Sequence, residues 1–179
     1  SDLSRSAPLT EFYQLPYMSV LHLHDNIISG TISPLVGRLS SLVGFNPHTN
    51  RLSGTIPSEL SQLPLLTDEI VLTRNLLRGT IPRQLARLSS LHGVDLPENR
   101  LSGTIPAELG QLSLLELLHL PFNRISGSIP AQIGRCTSLR SLSLFHNRLH
   151  GDIPPALTSL SEVGDACALN VAAAVRMLD

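Results

Sequence analysis

Leu52 to Leu63 reads LSGTIPSELSQL, and Leu101 to Leu112 reads LSGTIPAELGQL. The near-identity of two separated stretches identifies an internal repeat, and its phase is set by the asparagine two residues before each, Asn50 and Asn99. Working outward, Asn26, Asn50, Asn75, Asn99, Asn123 and Asn147 follow one another at intervals of 24, 25, 24, 24 and 24 residues. Three residues before each Asn stand Leu23, Pro47, Leu72, Leu96, Leu120 and Leu144. Five before it stand Leu21, Phe45, Ile70, Val94, Leu118 and Leu142. Four residues after each Asn comes a glycine, and six after it an isoleucine. A proline follows that isoleucine in every copy but the first, where Ser33 takes its place.

Each recurring position has a physical reason. Apolar residues two apart make a short strand with alternate side chains facing inward. Copies stacked about 4.8 Å apart then form a parallel ladder. Asparagine carries both a donor and an acceptor, so a buried column of it can satisfy turn backbone from coil to coil. Glycine allows the positive φ of a sharp turn, and proline presets φ for a short helical or 3-10 segment on the return side. One coil cannot bury its own apolar edge, so stability must come from stacking.

These residues resemble the plant-specific leucine-rich-repeat family, whose pattern is L-x-x-L-x-L-x-x-N-x-L-x-G-x-I-P-x-x-L-G-x-L. The resemblance runs from about Met18 to Leu160. It implies an α/β solenoid, a right-handed superhelix with a concave parallel β-sheet, short 3-10 or helical segments on the convex side, and a second short strand near each S-G-T-I. Six repeats are expected over 18–160, with 1–17 as an N-terminal cap (Phe12, Tyr13 and Tyr17 over the first rung) and 161–179 as a decayed repeat and helical cap, the helix over 170–178. Family members are ectodomains of receptor kinases or receptor-like proteins, or secreted inhibitors of cell-wall hydrolases. The resemblance therefore implies a non-enzymatic recognition module for a protein or peptide, with a co-receptor as a second partner and an extracellular or cell-surface address. The alternative is a stand-alone effector, either a cell-wall glycosidase inhibitor or an ice-binding surface.

The sequence departs from the family in specific places. The cysteine pair and tryptophan usual in its N-terminal cap are missing, and no N-x-[ST] sequon occurs. Pro47 replaces a core-facing leucine in a central strand and removes a ladder donor, which makes the second repeat the weakest rung. The single 25-residue interval implies one extra residue, a bulge, between Leu63 and Ile70.

Composition narrows the function classes. The chain has 179 residues with 42% hydrophobic and 15% charged, enough for one folded domain. Aromatic residues are only 3%, so the core is built of Leu, Ile and Val. A net charge of −1 argues against nucleic acid as a partner. All 13 basic residues are arginine, which excludes every lysine-dependent phosphate or Schiff-base chemistry. Cys136 and Cys167 have no metal-ligand spacing. The apolar stretch from Ala166 to Leu178 is too short to span a bilayer, so no membrane insertion is expected. No nucleophile–base motif and no cofactor motif appears.

Candidate contact residues come from the outward strand positions. Pro97, Pro121 and Phe145 share one outward column on rungs four to six, with Leu117, His119, Phe122 and His146 beside them. Outward positions need no apolar residue for folding, whereas interface cores favour aromatics. This group is the expected ligand-binding site. His22, His24 and His48, with Asp25 nearby, gather on the first two rungs as a secondary candidate, read as surface histidines with no metal expected. Arg51, Arg100, Arg124 and Arg148 form a basic edge. Ser29/Thr31, Ser53/Thr55, Ser102/Thr104 and Ser126/Ser128 form the hydroxyl columns on which an ice-binding reading depends.

Overall fold

The structure is a computed structural model that describes residues 14–15 and 17–158. The expected caps at 1–17 and 161–179 therefore lie almost wholly outside the described residues, as do Cys167 and the helix expected over 170–178.

Six three-residue strands carry the concave side: β1 (Val20–His22), β3 (Gly44–Asn46), β5 (Glu69–Val71), β7 (Gly93–Asp95), β9 (Leu117–His119) and β11 (Ser141–Ser143). They pair in chain order as one parallel six-stranded sheet. The middle residue of each points inward: Leu21, Phe45, Ile70, Val94, Leu118 and Leu142 are all buried. Near each repeat glycine a second strand of two or three residues forms: β2 (Ser29–Thr31), β4 (Arg51–Ser53), β6 (Arg78–Gly79), β8 (Arg100–Leu101), β10 (Ser126–Gly127) and β12 (Arg148–Leu149), joined in three parallel pairs. The convex side returns through five-residue 3-10 segments, Pro34–Arg38, Ser58–Gln62, Arg83–Arg87, Ala107–Gln111 and Ala131–Arg135, and the short helix α1 (Pro155–Thr158). In four of the 3-10 segments the repeat proline caps the start with φ between −65° and −71°. In the first, Ser33 takes over by accepting the N–H of Leu35. The fold is a leucine-rich-repeat solenoid.

The asparagine column binds the coils together. Asn99 Oδ1 accepts the N–H of Leu77 at 3.1 Å, while its Nδ2 donates to the Leu72 carbonyl of the preceding rung at 2.9 Å. Asn50, Asn75, Asn123 and Asn147 repeat the same two links to the rung before them. Asn26 has no described rung behind it. Among the described residues its amide reaches only the Leu23 and His24 carbonyls, and it is exposed.

The irregularity falls where the sequence places it. β3 and β5 share one paired position, Phe45 with Ile70, against three between β5 and β7. Pro47 is buried at the core-facing position and brings no N–H, whereas Leu72 at the equivalent place donates to the Asp95 carbonyl. The extra residue lies at Thr67–Asp68, where the single N–H of His92 is shared between both carbonyls, at 3.2 and 3.3 Å. Two residues facing one is a bulge.

Candidate functional site

Phe122 and His146 sit one residue before their asparagines, at the corner where the strand turns away from the concave sheet. All six residues at this corner have positive φ, from 52° at Thr49 and His146 to 55° at Phe122. A bulky side chain there is strained, because the left-handed region suits Gly, Asn or Asp. The corner throws Phe122 outward, and it remains 46% exposed. Its ring stacks on His146 at 4.5 Å and meets Phe145 edge to face at 5.1 Å. Phe145 and His146 are themselves 5.6 Å apart and steeply tilted. These spacings are favourable aromatic geometry. Three of the residues expected to form a binding group thus make one aromatic cluster on rungs five and six. Leu117, His119 and Pro97 lie on neighbouring concave positions and are half-buried. Pro121 differs: it is buried, lying between Pro97 and Phe145 in its column, so its small ring is covered and cannot serve as a contact.

Beside the cluster runs a polar row that the sequence did not reveal. His119 Nδ1 lies 3.5 Å from Asp95 Oδ1, and His119 Nε2 lies 2.6 Å from Ser141 Oγ. Thr73 donates its hydroxyl to the other Asp95 oxygen at 2.8 Å. The row joins carboxylate, imidazole and hydroxyl in the order an acyl-transfer enzyme uses. The N–H of Ser141, the donor such a site needs first for an oxyanion, is tied to the Glu116 carbonyl at 3.0 Å. The row therefore reads as a polar brace across rungs three to six, hydrogen-bonded between Thr73 and Asp95 and between His119 and Ser141, with His119 and Asp95 in close approach. Next to it, burial pushes the Glu69 carboxyl above its usual range, and the charges of Asp68 and Asp95 push it further. Glu69 lies over Gly93, where any Cβ would come within 2.5 Å of its Cγ.

At the other end of the face His24 and His48 stack at 4.9 Å with 17° between their planes, and His22 lies 5.8 Å from His24. The arginine edge (Arg51, Arg100, Arg124, Arg148) is exposed. The serine hydroxyl column is occupied internally: Ser53, Ser102 and Ser126 donate to the glycine carbonyls Gly30, Gly79 and Gly103 of the coil before. Cys136 is fully buried and donates to the Leu109 carbonyl, and burial pushes its thiol up to about 11, which leaves it unreactive.

The family model for Leucine Rich Repeat matches residues 114–136 and 138–160. No curated protein sequence matches the chain. Among solved structures, the chain is similar to the ectodomain of BIR2 from Arabidopsis thaliana, with 35% identity and a TM-score of 0.65 over 73% of this chain and 68% of that one. This chain belongs to the plant-type leucine-rich-repeat family. The leucine-rich-repeat protein is also similar to the Arabidopsis receptor kinase HAESA in complex with the peptide hormone IDA and the co-receptor SERK1, with 33% identity and a TM-score of 0.80. That match covers 84% of this chain and 26% of that one. A third match is the ectodomain of the Arabidopsis thaliana membrane receptor kinase GASSHO1/SCHENGEN3 in complex with CASPARIAN STRIP INTEGRITY FACTOR 2, with 35% identity and a TM-score of 0.79. It covers 83% of this chain and 18% of that one. The chain therefore spans less than a third of the length of these two matched chains.

No catalytic family is indicated for this leucine-rich-repeat protein. Among the described residues, no helix is long and apolar enough to cross a membrane. Reading columns along the repeat found Phe122, Phe145 and His146. It missed Asp95 and Ser141, because they occupy different outward columns and meet only through His119 on the rung between them.

Proposed function

We propose that this chain is a recognition segment that binds an extended protein or peptide ligand along its concave face over rungs four to six, with Phe122 and Phe145 as anchors and His146, His119 and Leu117 around them. The observation that carries the reading is Phe122, a bulky aromatic ring at a left-handed corner, exposed and stacked on its neighbours rather than packed into the core. All six corners share this conformation, so what distinguishes Phe122 is its exposed aromatic ring, which serves no core and is better explained by contact with a partner. The likeness to HAESA, whose structure includes a peptide hormone and a co-receptor, supports a peptide as the ligand and a co-receptor as second partner. The half-buried brace of Asp95, His119 and Ser141 holds polar groups beside the anchors, where they suit the backbone of an extended chain.

The test uses a dodecapeptide selected from a random display library against the wild-type chain, with affinity and melting temperature measured in parallel. Phe145→Ala should weaken peptide binding about thirtyfold, on the order of 2 kcal/mol, while barely moving the melting temperature. Leu142→Ala, buried beneath the same strand, should do the reverse and cost stability of about 2–5 kcal/mol. If Phe145→Ala destabilises the fold as much as Leu142→Ala does, Phe145 is packing and the reading fails.

A further inference from the structure

We infer that His24, Asp25 and His48 form a binding site for a borderline divalent transition-metal ion such as Zn²⁺, Ni²⁺ or Cu²⁺, on the first two rungs of the concave face. One ligand atom from each of the three lies within 4.8 Å of the other two. Metal bonds of about 2.0–2.1 Å to nitrogen or oxygen require donor atoms no more than about 4.2 Å apart. His24 and Asp25 are exposed, so small rotations of their side chains close the remaining gap.

The backbone brings the three together without help from an ion. His24 and His48 occupy the same column on adjacent rungs, and their rings already stack at 4.9 Å. Asp25 donates its N–H to the His48 carbonyl at 3.2 Å, which ties the carboxylate-bearing residue to the second rung. It also takes the left-handed corner, with φ of 54°, a conformation Asp tolerates better than most residues. The corner turns its side chain out of the strand direction and toward the two rings. His48 Nδ1 lies 2.9 Å from Thr49 Oγ1. In the tautomer that donates this hydrogen bond, the His48 Nε2 lone pair is free to ligate, the arrangement that usually orients a metal-binding histidine.

The donor set decides the class of ion. Two imidazoles and one carboxylate suit Zn²⁺, Ni²⁺ and Cu²⁺, whereas Mg²⁺ and Ca²⁺ demand oxygen ligands throughout. Three protein donors leave coordination positions open toward the concave solvent for water or a donor from a bound molecule. His22, 5.8 Å from His24 by ring centroid, flanks the site and is not among its ligands. The site lies on rungs one and two, away from the aromatic cluster, so either can fail without the other.

The experiment titrates tag-free wild-type chain with Ni²⁺ and Zn²⁺ by calorimetry, and loads Cu²⁺ for electron paramagnetic resonance. One equivalent should bind, with nitrogen hyperfine splitting from two imidazoles. His24→Ala and His48→Gln should each weaken Ni²⁺ binding at least tenfold, and Asp25→Asn should weaken it several-fold. His146→Ala, on rung six, should leave the affinity within twofold. Metal-free melting curves for each variant establish that it is folded, and His24→Ala at an exposed position keeps the test available should His48→Gln unfold. No saturable binding by the wild type, or equal affinity in wild type and His24→Ala, would overturn the inference.

Discussion

Asn99 accepts an N–H from one coil and donates to a carbonyl of the same coil, so removing its amide strands both groups in a buried turn. Asn99→Ala should cost about 1–3 kcal/mol. Asn26→Ala, where the amide is exposed and among the described residues bonds within its own rung, should cost much less. Thermal melts of the two variants check this, and equal losses would contradict the role given to the column. Such a column is legible in sequence because one residue type recurs at a fixed interval. The left-handed corner beside it is not. Its six occupants are Asp25, Thr49, Arg74, Glu98, Phe122 and His146, with no glycine or asparagine to betray a positive φ. Phe122 therefore reads in sequence as one more outward aromatic, and only the backbone reveals that it is held there against a local preference.

At the scale of the strand, the junction between β3 and β5 is where the ladder is thinnest. The sequence supplies both causes, Pro47 and the 25-residue interval, yet it locates the second only within Leu63 to Ile70. The position depends on which carbonyls the next rung's N–H can reach, and the His92 N–H reaches both Thr67 and Asp68. Pro47→Leu restores a donor opposite the Val71 carbonyl and fills the core position with the residue used by the five other rungs. It should raise stability by about 1 kcal/mol, a hydrogen bond's contribution offset in part by the freer unfolded chain. A lower melting temperature in Pro47→Leu would show that the bulge, and not the missing N–H, sets the weakness of this rung.

Across the whole molecule, function rests on what adjacent rungs place side by side. The stacking of coils follows from the periodicity, since each coil needs a neighbour to bury its edge, and the resemblance to the plant-type family implies the rest of the fold class. The aromatic cluster was legible for the same reason, as Phe122, Phe145 and His146 fall at neighbouring positions of successive repeats. The brace from Asp95 through His119 to Ser141 was not, because it crosses from one outward column to another and depends on the strand register. The arginine edge and the serine column lie off the concave sheet, and the serines are already hydrogen-bonded to the coil before them. The concave face of rungs four to six is the surface we propose for a partner. Amide hydrogen exchange of the full chain, with and without the selected dodecapeptide, tests that claim most directly. Added protection should concentrate in residues 117–123 and 141–147. Protection confined to the convex segments Arg83–Arg87, Ala107–Gln111 and Ala131–Arg135 would contradict it.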